Sequence, residues 1–184
     1  MFKPIQFIVS IALLTVLFSC NSETKKAKEQ TEEPKVEVTI PNWETYSTDV
    51  FSVNYPNQWE LNTTGANGTE FVVVSQRLDS LDEFSENVNL ITQEIGETTL
   101  AQYVSQSEKQ ITNEMVGSKL LKSKNIVLEG VAMHETHFKA TVQGAEIIFE
   151  QIYIVRDEKA YILTFSAEAK AYEQMKPIAN EVMN

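Results

Sequence analysis

Cysteine is almost missing: Cys20 is the only one in 184 residues, so no disulfide within the chain can staple the fold. Histidine is nearly as scarce, at two residues, which argues against a histidine-rich metal centre. The six glycines form no phosphate-cradling loop, and there is no Gly-x-Ser-x-Gly elbow to present a nucleophilic serine. Positive charge is in short supply. With 15 Lys+Arg against 26 Asp+Glu the net charge is −11, the wrong sign for displacing counterions from nucleic acid. What remains, 42% hydrophobic and 22% charged, is the composition of an ordinary globular protein.

The amino terminus reads as an address. Lys3 precedes a mostly apolar stretch, residues 5–18. That stretch is too short for the roughly 20 residues of a bilayer span and suits the apolar centre of a signal peptide. It ends in Leu17-Phe18-Ser19-Cys20, which resembles the lipobox of bacterial lipoproteins, although Phe18 departs from the smaller residue usual before the last position. The resemblance implies a signal peptide over residues 1–19, diacylglycerol on the Cys20 thiol, and fatty acylation of the new amino terminus. Each buried methylene contributes about 0.8 kcal/mol, so several chains anchor stably. Asn21 is not the Asp that serves as an inner-membrane retention signal, which favours an outer-membrane destination.

Residues 20–41 read as the lipidated cysteine and a flexible tether. Lys and Glu alternate without an apolar face, Pro34 and Pro41 interrupt, and no aromatic residue occurs before Trp43. A chain of ~21 such residues spans ~25 Å root-mean-square. Five side chains of each sign fall before residue 42, so the whole net charge of −11 belongs to residues 42–184. Those ~143 residues can bury ~68% of their unfolded surface, enough for one core without disulfides. With no repeat and no second linker, one domain over 42–184 is expected.

Strand signals open that domain. Residues 50–55 alternate and stop at Pro56, residues 58–63 follow, and Asn67-Gly68 is a turn that leads into 71–75. An acidic stretch over 79–86 precedes a strand at 88–95. Thr99-Leu100-Ala101-Gln102 is a capping box opening a helix with Leu100, Tyr103, Val104, Ile111 and Met115 on one stripe and Gly117 at its end. Strands follow at 120–128, 131–142, 146–155 and 160–165, with turns at Gln143-Gly144 and Asp157-Glu158. A helix over 169–183 closes the chain, and Pro177 should kink or restart it. In the 146–155 strand, Ile148, Ile152 and Ile154 share one face while Ile147, Phe149, Tyr153 and Val155 share the other. Such a strand needs cover on both sides. The expected fold is α+β, an antiparallel sheet with helices packed on both faces.

On Phe51-Ser52-Val53-Asn54-Tyr55-Pro56 with Trp59, then Glu86-Asn87-Val88-Asn89-Leu90, the chain resembles the PsbP-like family of the Mog1/PsbP fold. A helix after the second motif, three closing strands and a last helix with Lys176-Pro177 extend the likeness over about 43–184. The resemblance implies a non-enzymatic accessory or assembly factor, and it transfers no functional residue.

The chemistry offered by single residues is thin. His134-Glu135-Thr136-His137 lies on a strand, where positions three apart face opposite ways, so the two histidines cannot share a metal. His134 goes with Phe138, Ala140 and Val142, and His137 with Glu135 and Lys139 on a wetter face. Asp79, Asp82, Glu83 and Glu86 lack calcium-loop spacing and read as a solvated acidic loop. Trp43, Tyr46, Tyr55 and Trp59 read as packing rather than a ligand cleft. The expectation is a lipid-anchored cell-envelope protein, non-enzymatic, whose monomeric domain binds a protein of unidentified kind. It meets the membrane through Cys20 and needs no metal, cofactor or nucleic acid. The alternative is a small-ligand or ion-binding envelope lipoprotein using the aromatic and acidic early segment.

Overall fold

A computed structural model describes residues 42–77 and 84–184. The signal peptide, Cys20, the tether, and Asp79, Asp82 and Glu83 lie outside the described residues. In chain order the elements are β1 (Trp43–Ser47), β2 (Ser52–Pro56), β3 (Glu60–Asn62), β4 (Thr69–Val74), β5 (Asn87–Glu94), α1 (Leu100–Glu114), β6 (Lys119–Leu128), β7 (Val131–Val142), β8 (Ala145–Arg156), β9 (Lys159–Glu168) and α2 (Tyr172–Met183). β1 and β2 form a separate hairpin, which the sequence pattern did not include as a pair. The other strands make one seven-stranded sheet in the order β3-β4-β5-β9-β8-β7-β6. Every neighbouring pair is antiparallel. Among the described residues no helix is long and apolar enough to cross a membrane.

Tight turns create this order. Glu129-Gly130, Gln143-Gly144 and Asp157-Glu158 each hold two consecutive residues at positive φ. That twist matches the strands it joins and forces hairpins. β6 to β9 therefore return as a meander, and α1 is the connection that carries the chain from the middle of the sheet to its far edge. The capping box forms as the sequence indicates: Gln102 N–H donates to Thr99 Oγ1 at 3.3 Å and Thr99 N–H to Gln102 Oε1 at 2.9 Å. α2 is one continuous helix through Pro177, so the proline does not restart it. Proline removes one amide from the ladder, while Tyr172, Met175, Ala179 and Val182 of α2 are all buried and hold the helix in place.

The two helices cover opposite faces, but different halves. α1 packs on β6, β7 and β8, and α2 packs on β2, β5 and β9. Beneath α2 lie Val53, Tyr55, Trp59, Phe71, Val73, Val88, Leu90 and Phe165. Beneath α1, Tyr103 and Val104 meet Tyr153, Ala160 and Ile162, and Ile111 meets Phe138, Ile147 and Phe149. Phe138 and Phe149 pair across β7 and β8 and stack at 4.7 Å. The parity expected for β8 holds, yet its cover is incomplete. Ile147, Phe149 and Tyr153 are buried, whereas Ile152 and Ile154 are only half-buried, because α2 lies over β9 and β5 instead.

Candidate functional site

Two polar clusters flank β7, one on each face of the sheet. On the α1 side, strand parity points His134 and Thr136 at the helix, and register sets Asn125 opposite His134 and Ser123 opposite Thr136. The imidazole of His134 is engaged at both nitrogens. Nδ1 lies 2.7 Å from Asn125 Oδ1, an acceptor, so Nδ1 carries a proton. Nε2 lies within hydrogen-bond distance of the Ser123 hydroxyl, at 3.1 Å. Glu108 of α1 approaches the same nitrogen at 3.5 Å and accepts from Thr136 Oγ1 at 3.0 Å. Thr136 is fully buried and His134 nearly so.

Above these groups an open cleft of about 470 Å³ separates α1 from β6. Val104, Glu108 and Thr112 form its helical wall, Leu120, Ser123 and Asn125 its strand wall, and His134 its floor. The polar layer continues under α1 towards β9. Tyr153 donates to Gln151 Oε1, Gln151 Nε2 donates to Thr164 Oγ1 at 3.1 Å, and Tyr103 donates to Gln93 Oε1 at 2.6 Å. Burial pushes the Tyr103 hydroxyl up to about 12, and burial with the neighbouring Tyr103 and Glu108 raises Tyr153 further still. Both phenols are therefore fixed hydrogen-bond donors at neutral pH.

Ser123, His134 and Asn125 have the order of hydroxyl, base and orienting group. Asn125 nevertheless supplies an amide oxygen, not a charge, to an imidazolium. Glu108 lies on the Nε2 side, where a reacting group would have to sit. The set brings a hydroxyl, an imidazole, an amide and a carboxylate together at one open cleft.

On the opposite face a chain of charges crosses β6, β7 and β8 to α2. Lys122 and His137 Nε2 each lie 2.6 Å from Glu135 Oε1. His137 also stands 3.6 Å from Glu150 Oε2. Buried Glu150 accepts from the Tyr172 hydroxyl and pairs with Lys176 at 3.0 Å. Desolvation works against ionising Glu135, but the hydrogen bonds from Lys122 and His137 outweigh it and hold its carboxyl below the usual range. Tyr172 and Glu150 together hold the Lys176 ammonium above its ordinary value despite some burial.

The sequence-marked residues distribute as follows. His134 and His137 lie on opposite faces, as strand parity required. Among the described residues no three His, Cys, Asp or Glu side chains converge on a metal position. Tyr55 and Trp59 are core residues under α2, Tyr46 packs edge-on against Phe51, and Trp43 is partly exposed. Glu86 corrects the reading of the acidic loop. It is fully buried, accepts from Ser75 Oγ at 3.1 Å, and its carbonyl extends the β4–β5 ladder through Ser75 N–H at 2.7 Å. Sequence reasoning did not single out Glu108, Ser123, Asn125 or Glu150. Two signals were present: Ser107-Glu108 interrupts the apolar stripe of α1 at mid-length, and Glu150 sits between Ile148 and Ile152 on one face of β8.

No protein-family model matches the chain, and no curated protein matches it by sequence. Solved structures do. PA94 of Pseudomonas aeruginosa, a protein of unknown function, aligns with a TM-score of 0.56 at 16% identity, covering 77% of this chain and 93% of that one. The cyanobacterial PsbP of Synechocystis aligns at 0.56 and 17% identity, covering 80% and 92%. LpqN of Mycobacterium tuberculosis, described as involved in cell envelope biogenesis, aligns at 0.53 and 13% identity, covering 79% and 83%. With its antiparallel sheet and a helix on each face, the chain has the PsbP-like, or Mog1/PsbP, fold.

Proposed function

We propose that this protein is a lipid-anchored cell-envelope protein, bound to the outer membrane through Cys20, whose PsbP-like domain is a non-enzymatic accessory module that binds another protein. The lipobox-like Leu17-Phe18-Ser19-Cys20 supports the anchor. The likeness to LpqN supports the envelope setting. The observation that carries the binding role is the β6–β7 hairpin. Leu121, Val127, Leu128 and Val131 are exposed on it, with Val127 at 72% and Leu128 at 55%. Val127, Leu128 and Val131, gathered at the turn of this hairpin, support an interaction surface there.

A photoreactive residue at Leu128 in cells should give a discrete protein adduct, while one at Glu60, on the opposite edge of the sheet, should not. An equal or empty pattern at both positions would sink the module. Separately, Cys20→Ser should leave an unprocessed precursor that takes up no fatty-acid label. The α1–β6 cleft favours a second reading, a small-ligand envelope lipoprotein. A compound retained by the purified protein, with no adduct at Leu128, would put that reading first.

A further inference from the structure

We propose that β6 is a docking edge for an extended acidic segment of the partner protein. The segment adds as an eighth strand and directs every second side chain into the α1–β6 cleft. The inference rests on the protein-binding reading above and names what is bound and where.

Three observations converge on the edge. First, β6 is the last strand of the sheet and is ten residues long. Among the described residues no strand pairs with its outer side. Such an edge presents unpaired N–H and C=O groups along its length, the template for strand addition. Second, α1 runs alongside β6 in the opposite direction. Ser118 Oγ, just before β6, donates to Thr112 C=O near the end of α1 at 3.5 Å. Glu108, one turn earlier, reaches Thr136 and His134, the partners of Ser123 and Asn125. The cleft is therefore a trough along the strand rather than a hole beside it. An added strand would lie between a helix wall and a sheet edge. Third, the edge is basic on an acidic protein. Residues 42–184 hold ten Lys+Arg, of which Lys119, Lys122 and Lys124 lie on β6, a strand that carries no acid, while Lys109 lines the trough. Lys122 is paired with Glu135, which also holds His137, and among the described residues Lys119 and Lys124 form no ion pair, so these two offer the charge to a partner.

Strand geometry then specifies the occupant. Neighbours across a pair share a face. Added residues beside Lys122 and Lys124 point to the open face of the sheet and should be Asp or Glu. Those beside Ser123 and Asn125 point into the trough and should be small or hydrogen-bonding, matching the hydroxyl, amide and imidazole there. A second copy of this chain fits poorly, since pairing β6 with β6 would bring two rows of lysine together. The lysines thus keep copies apart and leave the edge open to a partner of opposite charge.

The test pans a displayed decapeptide library on the full chain in detergent, followed by hydrogen–deuterium exchange with the recovered peptides. Recovered sequences should be proline-poor, with acids at alternate positions. They should slow exchange in residues 119–128 at least several-fold. Lys119→Glu with Lys124→Glu should weaken them at least tenfold, and Ser105→Trp, which fills the trough, at least as much. Thermal melts of these exposed-site variants should match the parent, which separates lost docking from lost folding. No enrichment, enrichment without acidic bias, or protection elsewhere would overturn the proposal. If adducts still form at Leu128 while β6 gains no protection, the partner docks on the hairpin tip alone, and the module reading survives without the added strand.

Discussion

The two ends of the sheet are built on opposite terms. Towards the β3 end, across β4, β5 and β9, α2 and the β1–β2 hairpin close over Phe71, Val73, Val88 and Phe165, all at or near zero exposure. At the β6–β7 end, the strands run past their helix and finish in exposed Val127, Leu128 and Val131. Stability resides where apolar area leaves water, at roughly 25 cal/mol per Å². Apolar area left in water is where the proposed binding role lies. The same antiparallel ladder serves both ends, and only the placement of two helices separates them.

The largest effect should come from the closed end. Phe165→Ala removes a fully buried ring that stacks on Tyr172 at 6.0 Å and should cost about 3–5 kcal/mol in chemical denaturation. Phe149→Ala, stacked on Phe138, belongs in the same range. Next comes the junction between the ends. Glu150→Ala strips a buried carboxylate from Tyr172, His137 and Lys176 and should cost about 2–4 kcal/mol, with Glu150→Gln milder.

Glu135→Gln should be smaller, about 1 kcal/mol or less at neutral pH, since its partner Lys122 is 43% exposed. Its sign with pH is fixed. A carboxyl held below its ordinary value contributes stability above the unfolded-state pKa and loses it as pH falls through the folded one. The gap between parent and Glu135→Gln melting curves should therefore close on acidification. Val127→Ser with Val131→Ser should move stability by less than about 0.5 kcal/mol while abolishing the adduct from the photoreactive residue at 128. A loss there as large as at Phe165 would mean the tip is packed and the contrast between the ends is mistaken.

Local pattern and tertiary placement divide over particular residues. The capping box at Thr99, the turns at Gln143 and Asp157, and the two-faced β8 strand could be read directly, because each depends on neighbours within about four residues. Pro177 does not restart α2, because a helix held by a buried face tolerates the loss of one hydrogen bond. Glu86 was misjudged because burial depends on what closes over a loop, not on its composition. The α1–β6 cleft was invisible for a further reason. Ser123, Asn125 and His134 look unrelated until register sets β6 against β7, and Glu108 joins them only when α1 lies across that pair.

By itself the sequence determined the strands from β2 onward, both helices, the hairpin turns and which side chains share a face, since periodicity and turn chemistry act over a few residues. Only the tertiary structure decided which half of the sheet each helix covers, and hence that β6 ends the sheet beside a polar trough. That choice sums many apolar contacts between residues far apart in the chain, and no local pattern records it.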